Sequence, residues 1–133
     1  MSTHCPFCEI INDAKTQRII EQNDLALSVR DGFPVSDGHT LIIPKRHVSS
    51  FFDITQAERA ALFELVDSAK AQLDEEFHPD AYNIGINDGA AAGQTVPHLH
   101  IHLIPRYKGD VLDPRGGVRW VKPDEAVYWD DKK

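Results

Sequence analysis

The chain has 133 residues, of which 41% are hydrophobic and 26% are charged, and its formal net charge is −7. This composition is typical of a soluble globular domain, and the negative charge argues against binding along a nucleic-acid backbone, which needs a basic face. The sequence has neither the run of about 20 apolar residues that a membrane helix needs nor a secretory signal. We therefore expect a cytoplasmic protein without a membrane partner, folded as a single domain over residues 1–133.

The first half of the chain predicts a short helix and three strands. The helix includes the segment 5–8, with Pro6 in its first turn. Short apolar stretches then indicate strands over residues 19–21, 25–30 and 39–43. The third strand is stopped by Pro44, and a loop dense in turn residues, 31–38, comes before it.

The second half predicts one long helix and two strands. Thr55 and Glu58 have the spacing of a capping box, and apolar residues recur after them at helical spacing, so we expect a helix to about Phe77. Strands are expected over residues 82–87 and 98–104, followed by an irregular tail over about 109–133. Together these elements predict an α+β fold with a mainly antiparallel five-stranded sheet, one long helix and a short N-terminal helix.

The last predicted strand alternates three histidines with three aliphatic residues: His98, Leu99, His100, Ile101, His102 and Leu103. Side chains alternate between the two faces of a strand, so the histidines form a row and the aliphatic residues face a core. The outer two histidines are about 13 Å apart on a regular strand, so we do not expect all three to bind one zinc ion.

A row of imidazoles suits chemistry at a phosphate. Neutral imidazole is a nucleophile, and near pH 7 it also transfers protons. The central histidine could attack phosphorus while a neighbour protonates the leaving group. The residues just before the strand, Gly93, Gln94 and Thr95, offer the backbone amides and the hydroxyl that phosphate oxygens require.

The run 98–104 matches the pattern His-φ-His-φ-His-φ-φ, where φ is hydrophobic, and resembles the histidine triad superfamily of nucleotide hydrolases and transferases. The segments 5–8, 38–45, 87–89 and 93–96 also look like this family. The segment 106–110 is most similar to bacterial members and to dinucleoside polyphosphate hydrolases of the fragile-histidine-triad type. The resemblance implies the histidine triad fold, an enzyme and a homodimer.

The resemblance also implies roles for single residues. His100 would attack the α-phosphorus and form a transient nucleotidyl-histidine, while His102 would contact the phosphate and assist the leaving group. Asp31 would bind the ribose hydroxyls, and His39 would support the site. The phosphate oxygens would be held by Asn87, Gly93 and Thr95, with Gln94 between the last two.

The two cysteines, Cys5 and Cys8, have Cys-x-x-Cys spacing, which in a cytosolic chain indicates a redox motif or a metal site. A thioredoxin-like site needs a βαβ setting that this sequence lacks, and zinc needs two further ligands, normally histidines. Similarity to zinc-containing members implies that these are His47 and His98. We therefore expect a structural zinc with four protein ligands and no organic cofactor.

Alternatives remain open at each of these points. Asp31 could be only a turn residue before Gly32, and His39 only a solvated strand end. The zinc site could be empty, with His98 as a hydrogen-bonding group, or His4 or His39 could replace His47. The substrate is expected to be a purine nucleotide or dinucleoside polyphosphate, or another AMP conjugate. Cleavage of P–N bonds as a nucleoside phosphoramidase, or a non-catalytic nucleotide- or zinc-binding role, are the competing functions.

Overall fold

The computed structural model describes residues 5–129. Its helices are α1 (Pro6–Asn12), α2 (Gln56–Phe77) and α3 (Pro123–Ala126). Its strands are β1 (Ile19–Gln22), β2 (Ala26–Arg30), β3 (Thr40–Pro44), β4 (Ala81–Gly85) and β5 (Ile101–Arg106). The strands form one sheet in the order β1-β2-β3-β5-β4, and every neighbouring pair is antiparallel. The predicted α+β fold with five antiparallel strands is confirmed.

Helix α2 begins and ends as its sequence predicts. The Thr55 hydroxyl accepts the Glu58 N–H at 3.0 Å, and the Glu58 carboxylate accepts the Thr55 N–H at 2.9 Å, so the capping box is complete. Hydrogen bonds from Arg46 hold the pKa of Glu58 at about 2, so this cap stays ionised. The helix ends where His78 adopts a left-handed conformation with φ of 51°.

The sheet has a core on each face. Helix α2 covers one face, where its apolar residues pack against the aliphatic residues of the histidine run, Leu99, Ile101 and Leu103. Helix α1 covers part of the opposite face with a second cluster formed by Phe7, Ile10, Leu27, Val29, Leu41 and Ile43. The histidine row lies on this second face, because side chains alternate along a strand.

The boundaries of the two strands beside the site differ from the prediction. β5 begins at Ile101 instead of His98, because the Leu99 N–H donates to Val48 O at 2.7 Å and the His98 N–H to Val96 O at 2.8 Å. β4 ends at Gly85, two residues early, and an irregular segment leads from it to a short 3-10 helix, Ala90–Ala92.

The predicted irregular tail contains a 3-10 helix, Gly117–Val121, and the one-turn helix α3. Residues 1–4 and 130–133 of the expected domain lie outside the described residues. Between residues 5 and 129, no helix is both long enough and apolar enough to cross a membrane.

Candidate functional site: a histidine row between two side-chain clusters

The three histidines of the run remain side by side although only His102 lies within β5. His98 is fully buried and His100 is 8% exposed, whereas His102 is half-buried. The ring centroids of His100 and His102 are 5.1 Å apart. The Phe7 ring of α1 packs edge-on against both His98 and His100. Helix α1 therefore covers the first end of the row, at His98. The last end, at His102, is more open.

A backbone carbonyl sets the tautomer of His100. Its Nδ1 lies 2.8 Å from the carbonyl oxygen of His98, so Nδ1 carries the proton and donates it to that oxygen. The other ring nitrogen, Nε2, is then unprotonated in the neutral ring. An imidazole held in this way presents a lone pair, which is what a nucleophile needs.

His102 is held by a second histidine, His39, which lies just before the neighbouring strand β3. β3 pairs with β5 so that Leu41 lies opposite His102, which brings His39 alongside. The Val35 N–H donates to His39 Nδ1 at 3.1 Å, so His39 carries its proton on Nε2 and donates it to His102 Nδ1 at 3.0 Å. His102 therefore has its own N–H on Nε2. His39 is 3% exposed, so its interpretation as a solvated strand end was wrong.

Both rings of this pair are neutral at pH 7. Burial, followed by the charges of His100 and His39, lowers the pKa of His102 to about 4, against an opposing effect of Asp31. Burial also lowers the pKa of His39, although Asp31 acts to raise it. The 3.4 Å contact between His39 Nε2 and Asp31 Oδ2 therefore joins a neutral imidazole to a carboxylate and is not an ion pair.

Asp31 closes a turn and also lies beside the histidine row. Its Oδ1 accepts the Phe33 N–H at 2.8 Å and closes a turn, as the turn interpretation predicts. Its Oδ2 nevertheless lies beside His39 at the last end of the row. The carboxylate is half-buried, and ribose binding by it stays a prediction.

In the loop before the histidine row, the N–H groups of Gly93 and Gln94 already make hydrogen bonds. Gly93 has a φ of +97°, and its N–H donates to Ala90 O at 3.0 Å. The Gln94 N–H donates to Gly89 O at 3.1 Å, and its side-chain amide bonds Gly89 N–H at 2.8 Å and Ser49 O at 3.0 Å. These amides are already engaged, so Gly93 and Gln94 shape the loop and do not offer the free donors that the sequence suggested.

Thr95 is the residue of this loop that keeps its donors. Its side chain is exposed, and its N–H and hydroxyl make no hydrogen bond with any residue of the range 5–129. Asn87 is half-buried next to the loop, and its Nδ2 is 4.0 Å from the position that a Cβ at Gly93 would occupy. Phosphate binding by Asn87 and Thr95 stays a prediction.

Four side chains meet at the first end of the row as the zinc prediction requires. Cys5 and Cys8 lie with their sulfurs 3.5 and 3.6 Å from His98 Nδ1, and the Cys8 sulfur is 3.2 Å from His47 Nδ1. The four ligand atoms lie within 4.8 Å of one another. His98 Nε2–H donates to Pro44 O at 2.8 Å, which leaves the Nδ1 lone pair facing both sulfurs. Tetrahedral zinc separates its sulfur and nitrogen ligands by about 3.6 Å, so this donor set fits zinc.

Local structure explains this convergence. Cys5 is the N-cap of α1 and its sulfur accepts the Cys8 N–H at 3.4 Å, which places both thiols on one side of the first turn. His47 follows the end of β3, and Pro44 on that strand orients His98. The proposal that His39 replaces His47 is wrong, because His39 lies at the opposite end of the row, and His4 is outside the described residues.

A second cluster, Asp31, His39 and His102, also brings its ligand atoms within 4.8 Å of one another. Its chemistry is different. The Val35 N–H occupies the lone pair of His39 Nδ1, so Nε2 keeps its proton and cannot bind a cation. This cluster is a chain of hydrogen bonds that ends on His102.

Two residues that the sequence did not indicate, Ser36 and Tyr107, connect the loop of residues 31–38 to β5 and the residue that follows it. We call this loop the Asp31 loop. The Ser36 hydroxyl donates to Pro105 O at 2.8 Å, and the Tyr107 hydroxyl donates to Asp37 O at 2.7 Å. A turn-rich loop gives no sign of such partners, because the acceptors are about 70 residues away in sequence.

Comparisons with known proteins agree with this geometry. The model of the HIT domain matches residues 12–109. An uncharacterized HIT-like protein of Methanocaldococcus jannaschii is 37% identical over 124 residues, which cover 92% of this chain and 95% of that protein. The asymmetrical bis(5'-nucleosyl)-tetraphosphatase of Schizosaccharomyces pombe is 47% identical over 77 residues, 58% of this chain and 42% of that protein.

A solved structure is similar in the same region. The crystal structure of a zinc-bound histidine triad family protein from Mycobacterium smegmatis superposes with a TM-score of 0.73 and 36% identity, covering 82% of this chain and 79% of that chain. The family model spans well over half of this sequence, and the M. jannaschii relative matches it along nearly its whole length. The chain therefore belongs to the HIT domain family, as its histidine run predicts.

Proposed function

We propose that the chain is a nucleotide hydrolase or transferase that attacks the α-phosphate of dinucleoside polyphosphates or AMP conjugates through a covalent nucleotidyl-histidine on His100. One observation carries this proposal: the His98 carbonyl accepts the Nδ1–H of His100 at 2.8 Å, which leaves Nε2 unprotonated in a buried ring beside His102. The S. pombe relative, named as a nucleosyl tetraphosphatase, supports this substrate class.

In the first step His100 Nε2 forms a bond to the α-phosphorus, and the bond from phosphorus to the bridging oxygen breaks. The leaving group departs with that oxygen and the electron pair. The positive charge that develops on the imidazole ring is stabilised by the Nδ1–H bond to the His98 carbonyl. Water then attacks phosphorus, releases a nucleoside monophosphate and a proton, and returns the electron pair to Nε2.

His102 donates a hydrogen bond in this scheme. With a pKa of about 4 it is neutral, and its Nε2–H can bind a phosphate oxygen without being transferred. A polyphosphate leaves as a stable anion and needs no proton, whereas an amine leaving group does.

The other predicted contacts complete the site. Asp31 would accept the ribose hydroxyls and Thr95 and Asn87 would donate to phosphate oxygens, while Gly93, Gln94 and His39 hold the groups around them. Because β4 is an edge strand with Ile84 52% exposed, it is the place where a second copy would extend the sheet in the homodimer that we propose.

We also propose that Cys5, Cys8, His47 and His98 hold a structural zinc ion. The sulfur–nitrogen distances and the orientation of His98 support it, as does the zinc-bound M. smegmatis relative. These four residues would hold the metal as a structural cross-link between α1 and the segment before β5. His98 would then be structural, and its backbone carbonyl would still orient His100.

The test is the loss of turnover in His100→Ala, with diadenosine tetraphosphate and an adenosine phosphoramidate assayed side by side. We expect turnover to fall by about 10³-fold or more, while the Kd for AMP changes little. The wild type, rapidly quenched with substrate, should yield a phosphorus–nitrogen adduct that the variant lacks. His78→Asn is the matched control, because His78 is an exposed histidine outside the site whose left-handed conformation asparagine tolerates. Near-normal turnover in His100→Ala would contradict the mechanism.

A further inference from the structure

A cavity lies under the C-terminal tail, at the end of β5 that follows the histidine row. Its volume is about 890 Å³, within the range of small-molecule sites. β5, β4, the Asp31 loop and the tail all contribute to its walls. The lining residues used below are Val35, Asp37, Ile104, Arg106, Val118 and Trp120. We call it the Trp120 cavity.

The Trp120 cavity begins where the histidine row ends. His102, Ile104 and Arg106 alternate along β5 and lie on one face, so Ile104 is about 6.6 Å along the strand from His102. On the loop side, Val35, Ser36 and Asp37 line both this cavity and a smaller one that contains Asp31 and His39. The Trp120 cavity therefore shares a wall with the smaller cavity at Asp31 and His39, and its residue Ile104 is the next one after His102 on the same face of β5.

The walls of the cavity are held in place by hydrogen bonds. Trp120 Nε1–H donates to Arg115 O at 2.8 Å, which fixes the indole on the tail. Arg106 makes two bonds of 2.8 Å to Asp110 and one of 2.6 Å to Asn83. The guanidinium that faces the cavity is therefore already paired, and the pocket exists without a ligand to order it.

The chemistry of the lining selects a neutral aromatic group. Val35, Ile104 and Val118 make apolar walls, and the Trp120 side chain is 43% exposed, so it can stack on a planar ring. The Asp37 carboxylate makes no hydrogen bond within residues 5–129, so it is free to accept N–H groups. Since the lining carboxylates outnumber its one paired arginine, a phosphate is disfavoured here, whereas a nucleobase with an exocyclic amine fits.

We propose that the Trp120 cavity binds the second nucleoside of a dinucleoside polyphosphate, the half that leaves when His100 attacks. This inference rests on the proposed function and narrows it: the preferred substrate carries a purine nucleoside at both ends, and AMP conjugates with small leaving groups are poorer substrates. The tail thereby sets leaving-group selectivity, although it contributes nothing to the attack itself.

The kinetic test compares two substrates that differ only in the second nucleoside, diadenosine tetraphosphate and adenosine 5'-tetraphosphate. Trp120→Ala should lower kcat/KM by about tenfold or more for the dinucleotide, since base stacking is lost, and by less than twofold for adenosine tetraphosphate. Trp120→Phe should retain most of the selectivity. Val121→Ala is the matched control, because Val121 is 80% exposed on the same tail and does not line the cavity. An equal loss on both substrates, or none on either, would overturn the proposal.

A binding test separates this proposal from the proposed function. The chain has two tryptophans, so Trp129→Phe leaves Trp120 as the single indole fluorophore. Adenosine added to this variant at saturating AMP should quench the fluorescence, and should do so equally when His100→Ala is also present. Absence of quenching would refute the cavity assignment even if His100 is the nucleophile. Quenching in a chain that hydrolyses neither substrate would leave the cavity assignment standing and refute the proposed function.

Discussion

The two ends of the histidine row are built from similar parts and differ in their chemistry. At the first end the His98 ring lies 5.0 Å from His47, and at the last end the His102 ring lies 5.2 Å from His39. Each end also has acidic or thiol groups within reach of a cation. By the proximity of their ligand atoms alone, both ends resemble metal sites.

Backbone groups decide between them. The carbonyl of Pro44 accepts from His98 Nε2, so the lone pair of Nδ1 points to two sulfurs and can bind a metal. The N–H of Val35 donates to His39 Nδ1, so His39 Nε2 keeps its proton and passes a hydrogen bond to His102. The hydrogen bond at one ring nitrogen of a histidine therefore determines whether the other nitrogen can bind a metal or donates a proton.

The largest effect should come from breaking the first end. Cys8→Ser removes one of four ligands, so we expect loss of bound zinc and a decrease of about 3 kcal/mol or more in the free energy of unfolding. Metal analysis of the purified protein and urea denaturation measure the two quantities. Asp31→Asn, at the other end, should keep one zinc per chain. Wild-type protein without stoichiometric zinc would refute the metal site.

A substitution at the last end of the row is expected to have a smaller effect, and on activity instead of stability. His39→Ala removes the donor that fixes the His102 tautomer, so kcat/KM should fall by about 10- to 100-fold, with zinc content unchanged. His39→Gln can still donate a hydrogen bond and should recover part of the loss. If His39→Ala released zinc, or if glutamine gave no recovery, the distinction between the two ends would fail.

Removal of a hydrogen bond that holds the Asp31 loop is expected to have a smaller effect on the kinetics. Tyr107→Phe removes the hydroxyl that donates to Asp37 O at 2.7 Å, a bond worth about 1 kcal/mol. Because this bond positions the loop and not the reacting atoms, KM for a nucleotide substrate should rise about fivefold with little change in kcat. Tyr128→Phe, on an exposed tail residue, is the control. A change confined to kcat would contradict the positioning role.

The smallest effect is a pH dependence that arises from His102, at the last end of the row. His102, which faces His100, His39 and Asp31, has a pKa of about 4 in the folded chain, against 6.5 for an ordinary histidine. The unfolded chain therefore binds more protons between these values, so stability is full above pH 6.5 and decreases as the pH falls toward 4. Since His102 is partly exposed, we expect its share to be about 1 kcal/mol between pH 7 and pH 5.

Urea denaturation at both pH values measures this share as the difference between wild type and His102→Asn. The variant should lose less stability on acidification, whereas His78→Asn should behave as the wild type. An identical decrease in the wild type and His102→Asn would show that other groups account for the acid sensitivity.

Much of the fold was predictable because its signals are local. The capping box at Thr55 and the apolar spacing after it specify α2 to within a residue, and the alternation around Ile101 specifies which side chains face the core. The start of β5 was not predictable. It depends on the bond from the Leu99 N–H to Val48 O, whose acceptor is 51 residues away along the chain.

The site divides in the same way. The sequence by itself determined the histidine spacing, the paired cysteines and the family, because these depend on residue type and on distance along the chain. Only the tertiary structure decided which ring nitrogen of each histidine is protonated. It also decided that the backbone N–H groups of Gly93 and Gln94 are hydrogen-bonded within the loop. The physical reason is that a proton goes to the nitrogen that faces an acceptor. For His98 the partner is Pro44, on β3, and for His102 it is His39, just before β3. Both partners meet the row only once the sheet has formed.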